Sequence, residues 1–344
     1  MSPVDELLQN IKERLLQVDD RILDGQVAIP HNRAWSFGVI YKGIYNTEKV
    51  CIKAFRYVDR DPVSEFLHRL VREMRVWRQL TNTHIVKLHG WISYLESTED
   101  LCPGLVSNWC DEGNVKSYLR RRQDADRQAL ICGIAHGLAY LHSREIVHGD
   151  IKPQNVVVSS EKTPQLCDFG LSFIISDKST YIDATSMGQF GTWRYLAPEV
   201  CMAEEPFRNM KSDVWAFGCT AMEILRGVRP YPTVENDALI WAIGTAKPPF
   251  TSTPFSTDPS TEIILTSCFE PDPDLRNEMQ TVFESLTTNH SASGRPICCS
   301  VTHSFNHTPV GQPCHSRYSM GEGTPARSKV ITDDIPCLDL LMTD

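Results

Sequence analysis

Three short stretches of this chain carry side chains whose chemistries fit together. Val147-His-Gly-Asp150-Ile-Lys-Pro-Gln-Asn155 sets a carboxylate, an ammonium (Lys152) and an amide close together. Cys167-Asp168-Phe-Gly170 adds a second carboxylate eighteen residues after Asp150. Upstream, Lys53 in Val50-Cys-Ile-Lys53 and Glu73 in Leu70-Val-Arg-Glu-Met-Arg-Val-Trp77 stand twenty residues apart. Phosphoryl transfer from a nucleotide asks for a cation on the phosphates, carboxylates for Mg²⁺ and a carboxylate beside the attacking hydroxyl. Lys53, Asp168 with Asn155, and Asp150 are candidates for those three places. One Asp, one Asn and phosphate oxygens form an oxygen-only ligand set, which suits Mg²⁺ and leaves its other sites to water. Singly, each feature is ordinary: a lysine between β-branched residues is usually solvated, a helical Glu usually lies at the surface, and an Asp/Asn/Pro-rich run is usually a turn. The ordered set is what carries weight.

Positioning these groups takes strands in the first third of the chain and helices after it. Residues 26–110 read as strands, with short apolar runs at Val50-Cys-Ile-Lys53 and Gly104-Leu-Val-Ser107, interrupted by one long helix pattern over 63–80. Residues 111–286 are mainly helical, broken by Gly, Pro and Asp. Ahead of them, Val4, Leu8, Ile11, Leu15, Val18 and Ile22 recur every three to four residues, which predicts an amphipathic helix over 3–24 stopped by Gly25. That repeat is too short for a coiled coil, so packing on the neighbouring lobe is the expected use. Beyond 286, Ser, Thr, Pro, His and Gly accumulate without periodicity, and 287–344 is expected to be a disordered tail.

The set is also ordered as in protein kinases, and residues 26–286 resemble a protein kinase domain. The resemblance rests on Phe37-Gly-Val-Ile-Tyr-Lys-Gly43, Lys53, Glu73, the Asp150 stretch, Asp168-Phe-Gly170, Gly191-Thr-Trp-Arg-Tyr-Leu-Ala-Pro-Glu199, Ser212-Asp-Val-Trp-Ala-Phe-Gly218 and Asp272-Pro-Asp-Leu-Arg276. The flavour is similar to the tyrosine-kinase-like group of Ser/Thr kinases, compact fungal versions included. It implies an α+β fold of two lobes, a β-rich small lobe (26–110) with one long helix and a larger helical lobe (111–286), with ATP between them. By resemblance, Asp150 orients or deprotonates the substrate hydroxyl, Lys152 neutralises the transferring group, and Asn155 and Asp168 hold Mg²⁺. Lys53, paired with Glu73, reaches the phosphates, while Gly38, Ile40, Cys51, Ser107, Asn108 and Cys110 line the nucleotide pocket. Asn108 and Cys110 are expected to act through their backbones, and the small Ser107 to guard the back of the pocket. Trp77, Leu88, His148 and Phe169 would stack into a column joining the lobes. Asp213 would brace the catalytic loop, and Glu199 would pair with Arg276.

Lys152 and Thr192 favour Ser/Thr over Tyr as acceptor. Three departures from the family stand out. Arg33 and Trp35 fall where two loop glycines belong, which removes close backbone approach to phosphates and predicts weak ATP binding. Cys51 takes the place of an Ala facing adenine. Gly149 takes the place of the Arg before the catalytic Asp, which clamps an activation-loop phosphate, so activity is expected not to depend on phosphorylation of Ser176, Ser179, Thr180, Tyr181, Thr185 or Ser186. The runner-up is a pseudokinase, the same fold acting as a scaffold or signalling adaptor.

A net charge of −9 argues against nucleic acid or an anionic membrane surface as the main partner. No apolar run is long enough to span a bilayer. The N-terminal residues lack a basic start and apolar run, and the twelve cysteines show no paired CxxC spacing. A soluble cytoplasmic protein acting on a protein substrate is expected. Residues 3–24 or the tail, with Thr308-Pro, Thr324-Pro and Ile335-Pro-Cys-Leu-Asp-Leu-Leu-Met342, are candidate partner segments.

Overall fold

The computed structural model describes residues 3–29, 40–55, 63–93, 103–177, 193–202, 207–251 and 258–292, all within the unit Met1–Ile297. As expected, the fold is α+β. A four-stranded antiparallel sheet runs in the order β1 (Ile40–Tyr45), β2 (Glu48–Ala54), β4 (Gly104–Asn108), β3 (Leu88–Ile92). Between β2 and β3 lies α2 (Val63–Trp77). The helical lobe holds α3 (Val115–Arg121), α4 (Arg127–Ser143), α5 (Pro198–Met202), α6 (Met210–Arg226), α7 (Asn236–Gly244), α8 (Pro259–Thr266) and α9 (Met279–Ala292).

Register sorts the sheet's two faces. Ile40 lies opposite Lys53, Lys42 opposite Cys51, and Cys51 opposite Ser107, and directly paired residues share a face. Ile40, Cys51, Lys53 and Ser107 therefore lie on one side. Tyr41, Ile52 and Val106 take the other, where they form a separate buried cluster with Leu23. Val27 and Ile29 pack against that cluster, so residues ahead of the strands cover the sheet's outer face.

The N-terminal helix is shorter than its periodicity predicts. It spans Pro3–Leu16 (α1) and buries Ile11 and Leu15 completely, in the core that α2 supplies with Phe66, Leu70 and Met74. It ends early because competing bonds are available. The Asp19 carboxylate accepts from the Arg21 backbone N–H at 3.0 Å and from its guanidinium. Trp91 donates its ring N–H to Asp19 O and its backbone N–H to Arg21 O, and Leu23 N–H returns to Trp91 O. Such bonds offer the backbone an alternative to the helix. Residues 19–24 thus lie along β3 instead of continuing α1. Gly25, at φ +71°, sits in the turn beyond rather than at the helix end.

Several helices of the large lobe start on side-chain caps that satisfy otherwise unpaired N–H groups. Asp126 accepts from Ala129 N–H ahead of α4, and Asn209 and Ser212 form a reciprocal capping box on α6. Gly227 ends α6 in the left-handed region, φ +72°. Both α4 and α6 are apolar nearly all round and run through the core. The last helix reaches Ala292 and buries His290. The boundary expected after residue 286 therefore falls inside a helix; residues 293–344 lie outside the described residues.

Candidate active site

Lys53 reaches the site from β2 and Glu73 from α2. The Lys53 Nζ lies 2.7 Å from Glu73 Oε1 and 2.7 Å from Asp168 Oδ1. Burial opposes the lysine's charge, but Glu73 and then Asp168 outweigh it and hold its pKa above the ordinary lysine value. Burial also pushes Glu73 upward, with Lys53 opposing. The Lys53 ammonium, working against burial, holds Asp168 at about 2. Asp168 occupies φ +65°, sparsely populated for a residue with a side chain. Gly170 packs directly on this cluster: a Cβ there would lie 3.3 Å from Asp168 Oδ1 and 3.4 Å from Glu73 Oε2.

On the large-lobe side, Lys152 Nζ lies 2.8 Å from Asp150 Oδ2. Asn155 donates its amide N–H to the Asp150 carbonyl and to Oδ2, both at 2.8 Å. Short elements hold these groups: β5 (Ile146–Val147) enters the loop, a 3₁₀ turn at Pro153–Asn155 leaves it, and β6 (Val156–Val158) pairs with β7 (Pro164–Leu166) leading to Asp168. The Asp213 carboxylate, near the start of α6, accepts from the backbone N–H groups of His148 (2.7 Å) and Gly149 (2.9 Å).

His148 is fully buried, and burial pulls its pKa down, with the Asp213 carboxylate opposing. Its Nδ1 accepts from Asp150 N–H, leaving Nε2–H to donate to Cys167 O at 3.2 Å. The ring packs at a tilt against Phe169 with centroids 5.3 Å apart, and Phe169 packs likewise against Trp77 at 5.4 Å. Leu88 is buried in the same core. Deeper in the large lobe, Arg276 is buried and makes a two-pronged pair with Glu199, at 2.7 and 3.0 Å, while lying over the Trp215 ring.

In the nucleotide-pocket set, Ile40, Cys51 and Ser107 lie on the sheet face that carries Lys53. Ser107 is buried, and burial pushes the thiols of Cys51 and Cys110 up to about 11 and 12. The Asn108 N–H is taken by Lys87 O, which leaves only its carbonyl for a nucleotide edge. Gly38, Arg33, Trp35 and Thr192 lie outside the described residues, as do the activation-segment hydroxyls other than Ser176.

Two side chains that motif reading passed over also hold the site. Arg72 donates its guanidinium to the Gly170 carbonyl, so α2 grips the Asp168 turn through neighbouring residues, Arg72 and Glu73. Ser172 Oγ donates to His148 O at 2.7 Å, tying that turn to the loop that carries Asp150. Ser172 lies just past the Asp168-Phe-Gly170 string, and Arg72 lies inside the Leu70–Trp77 stretch, which motif reading takes only for Glu73.

The donor set is compatible with a bound magnesium nucleotide. Lys53 bonds only one oxygen of Asp168, and Asn155 turns its N–H toward Asp150, leaving its carbonyl oxygen on the opposite side of the amide. Asp150 Oδ1 is a buried oxygen without a hydrogen bond among the described residues. Hard oxygen donors of this kind fit Mg²⁺.

Sheet lobe, helical lobe and the charged cluster between them make up the protein-kinase fold. The chain belongs to the protein tyrosine and serine/threonine kinase family, whose model matches residues 34–286. It is 32% identical over 211 residues to mitogen-activated protein kinase kinase kinase 13-A of Xenopus laevis, covering 60% of this chain and 20% of that protein. The human mitogen-activated protein kinase kinase kinase 13 is 31% identical over a stretch of the same length. Cytokinesis protein sepH of Aspergillus niger is 30% identical over 247 residues, covering 70% of this chain and 17% of that protein. The chain thus matches about a fifth or less of the length of these relatives. Among the described residues no helix is long and apolar enough to cross a membrane.

Proposed function

We propose that the chain is an active, ATP-dependent protein kinase that transfers the γ-phosphoryl group to Ser/Thr hydroxyls of a protein substrate. The observation that carries this reading is the joint contact of Lys53 with Glu73 and Asp168, both at 2.7 Å. It joins strand, helix and metal-ligand turn in one arrangement, facing an Asp150 already bonded by Lys152 and Asn155. Asp168 and the Asn155 carbonyl would hold Mg²⁺, which neutralises phosphate charge when bound. Lys53 orients the phosphates, and Asp150 holds the acceptor hydroxyl and takes its proton. Lys152 stabilises charge on the transferring group, and its position two residues after Asp150 supports Ser/Thr as acceptor. Substrates of the named relatives are not carried over to this chain.

The alternative, a pseudokinase scaffold, draws on Arg33 and Trp35 in the glycine-depleted loop, where a close backbone approach to phosphate is lost. Radiolabelled phosphate transfer to a generic protein substrate with Mg²⁺-ATP separates the two. Transfer by the wild type that disappears in both Asp150→Asn and Lys53→Met supports the kinase. A folded wild type without transfer supports the scaffold, and transfer surviving both substitutions marks a contaminating enzyme.

A further inference from the structure

One buried cation has no place in the site as built so far. Arg208, just ahead of α6, is only 8% exposed, and its Nε and Nη2 are buried without a hydrogen-bond partner among the described residues. A guanidinium usually occupies such a place by bonding a carboxylate in two prongs, and leaving it unmatched is costly.

Its surroundings explain the placement. Gly149 sits at φ +79°, and a Cβ there would come within 2.7 Å of Leu171 O and 3.1 Å of Arg208 Cδ. Position 149 therefore cannot carry a side chain in this backbone, and the Arg208 stem fills the space beside it. Gly149, Asp150, Arg208, Ser212 and Asp213 line one small cavity of about 20 Å³. Asp150, on that cavity, has a buried oxygen with no hydrogen-bond partner among the described residues. Asp213 accepts from the Gly149 N–H, Asp150 is the next residue along the chain, and both line the cavity with Arg208; like charges so placed repel, and a cation beside them lowers that cost. Burial pulls Arg208 below the ordinary arginine value, and Asp150 and Asp213 oppose that pull.

We propose that Arg208 is the positioning cation of the catalytic loop, a guanidinium delivered from the segment ahead of α6 into the space that Gly149 leaves open. It does for Asp150 and Asp213 what an arginine immediately before Asp150 cannot do in this backbone. The role differs from that of an activation-loop phosphate clamp, because Arg208 answers to carboxylates of the fold itself.

The test has two arms, and only the first rests on the kinase reading. In it, kcat and KM for ATP are measured for the wild type, Arg208→Met and Arg208→Lys at a temperature where all three are folded. Arg208→Met is expected to lower kcat about tenfold with KM for ATP within about twofold, and Arg208→Lys to restore part of the loss. Unchanged kcat in a folded Arg208→Met, or equal losses in Met and Lys, would overturn the proposal. The second arm needs no catalysis. Denaturant unfolding of Arg208→Gln, Asp150→Asn and the double variant forms a cycle, and the expected result is a smaller effect of Arg208→Gln once Asp150 is neutral. Strict additivity overturns the proposal. A wild type without transfer refutes the kinase reading and leaves the cycle to decide.

Discussion

Lys53 and Asp168 stand 115 residues apart in sequence, and their side chains meet at 2.7 Å. The same ammonium meets Glu73 at the same distance. Lys53 is therefore a structural counter-ion, since the Glu73 side chain is only 2% exposed, and under the proposed function it is also the group that meets the nucleotide.

This double role separates stability from catalysis. Lys53→Met is expected to abolish phosphoryl transfer and to cost about 3–5 kcal/mol, because it strands the buried Glu73 charge. Adding Glu73→Gln should recover much of that stability and none of the activity. Urea denaturation beside radiolabelled transfer checks both halves.

His84 is 5% exposed, and its ring packs where a Cβ on Gly133 of α4 would come within 3 Å. Burial pulls its pKa down to about 4, with the bond to Pro164 O opposing. The unfolded chain then binds a proton that the folded chain refuses. The stabilisation is complete above the unfolded value of 6.5 and is lost as pH falls toward 4. His84→Gln is expected to flatten this part of the stability–pH curve by about 3 kcal/mol, measured by urea unfolding at stepped pH.

Leu15 on α1 is fully buried against the core that α2 shares. Leu15→Ala is expected to destabilise the protein by about 2–5 kcal/mol. Removing residues 1–29 should do more, because Leu23, Val27 and Ile29 cover the outer face of the sheet. Thermal unfolding of both variants checks the ranking.

Cys51 shares the Lys53 face of the sheet, and burial holds its thiol at about 11. Alkylation at neutral pH is expected to be slow, because the thiolate is the reacting species, and slower still with Mg²⁺-ATP bound. Mass-spectrometric labelling rates measure this. Labelling of Cys51 unaffected by saturating nucleotide would move it out of the pocket.

Gly149 cannot offer a cation to an activation-loop phosphate. Phosphatase treatment is expected to leave the transfer rate within about twofold of the untreated enzyme. Loss of activity on treatment, restored by rephosphorylating the loop, would contradict this.

Much of the fold was legible because its chemistry is spelled in contiguous strings. The strings around Asp150, Asp168 and Asp213 mark the residues that the structure brings to one site, and strand register then puts Cys51 and Ser107 on one face of the sheet. What escaped reading depends on contacts without local spelling. The apolar repeat of residues 3–24 continues past Leu16, but Trp91, far along the chain, captures the backbone of Asp19 and Arg21. Arg208 looks like any loop arginine until Gly149 is seen to adopt a positive φ beside it. The helix through Ala292 lay hidden because Thr288, Asn289 and Ser291 are weak helix formers, in a turn anchored by buried His290 and by the bond from Asn289 to Thr261 Oγ1.

The run of rings from Trp77 through Phe169 to His148 has a mechanical consequence. Phe169 touches both neighbours, and the adjoining residues are tied to α2 by Arg72 and to the loop by Ser172. Swinging the Asp168 turn outward would break every one of those ties in a single event. Inactivation by that route would therefore be all-or-none, with little ground for a half-open state between the two arrangements.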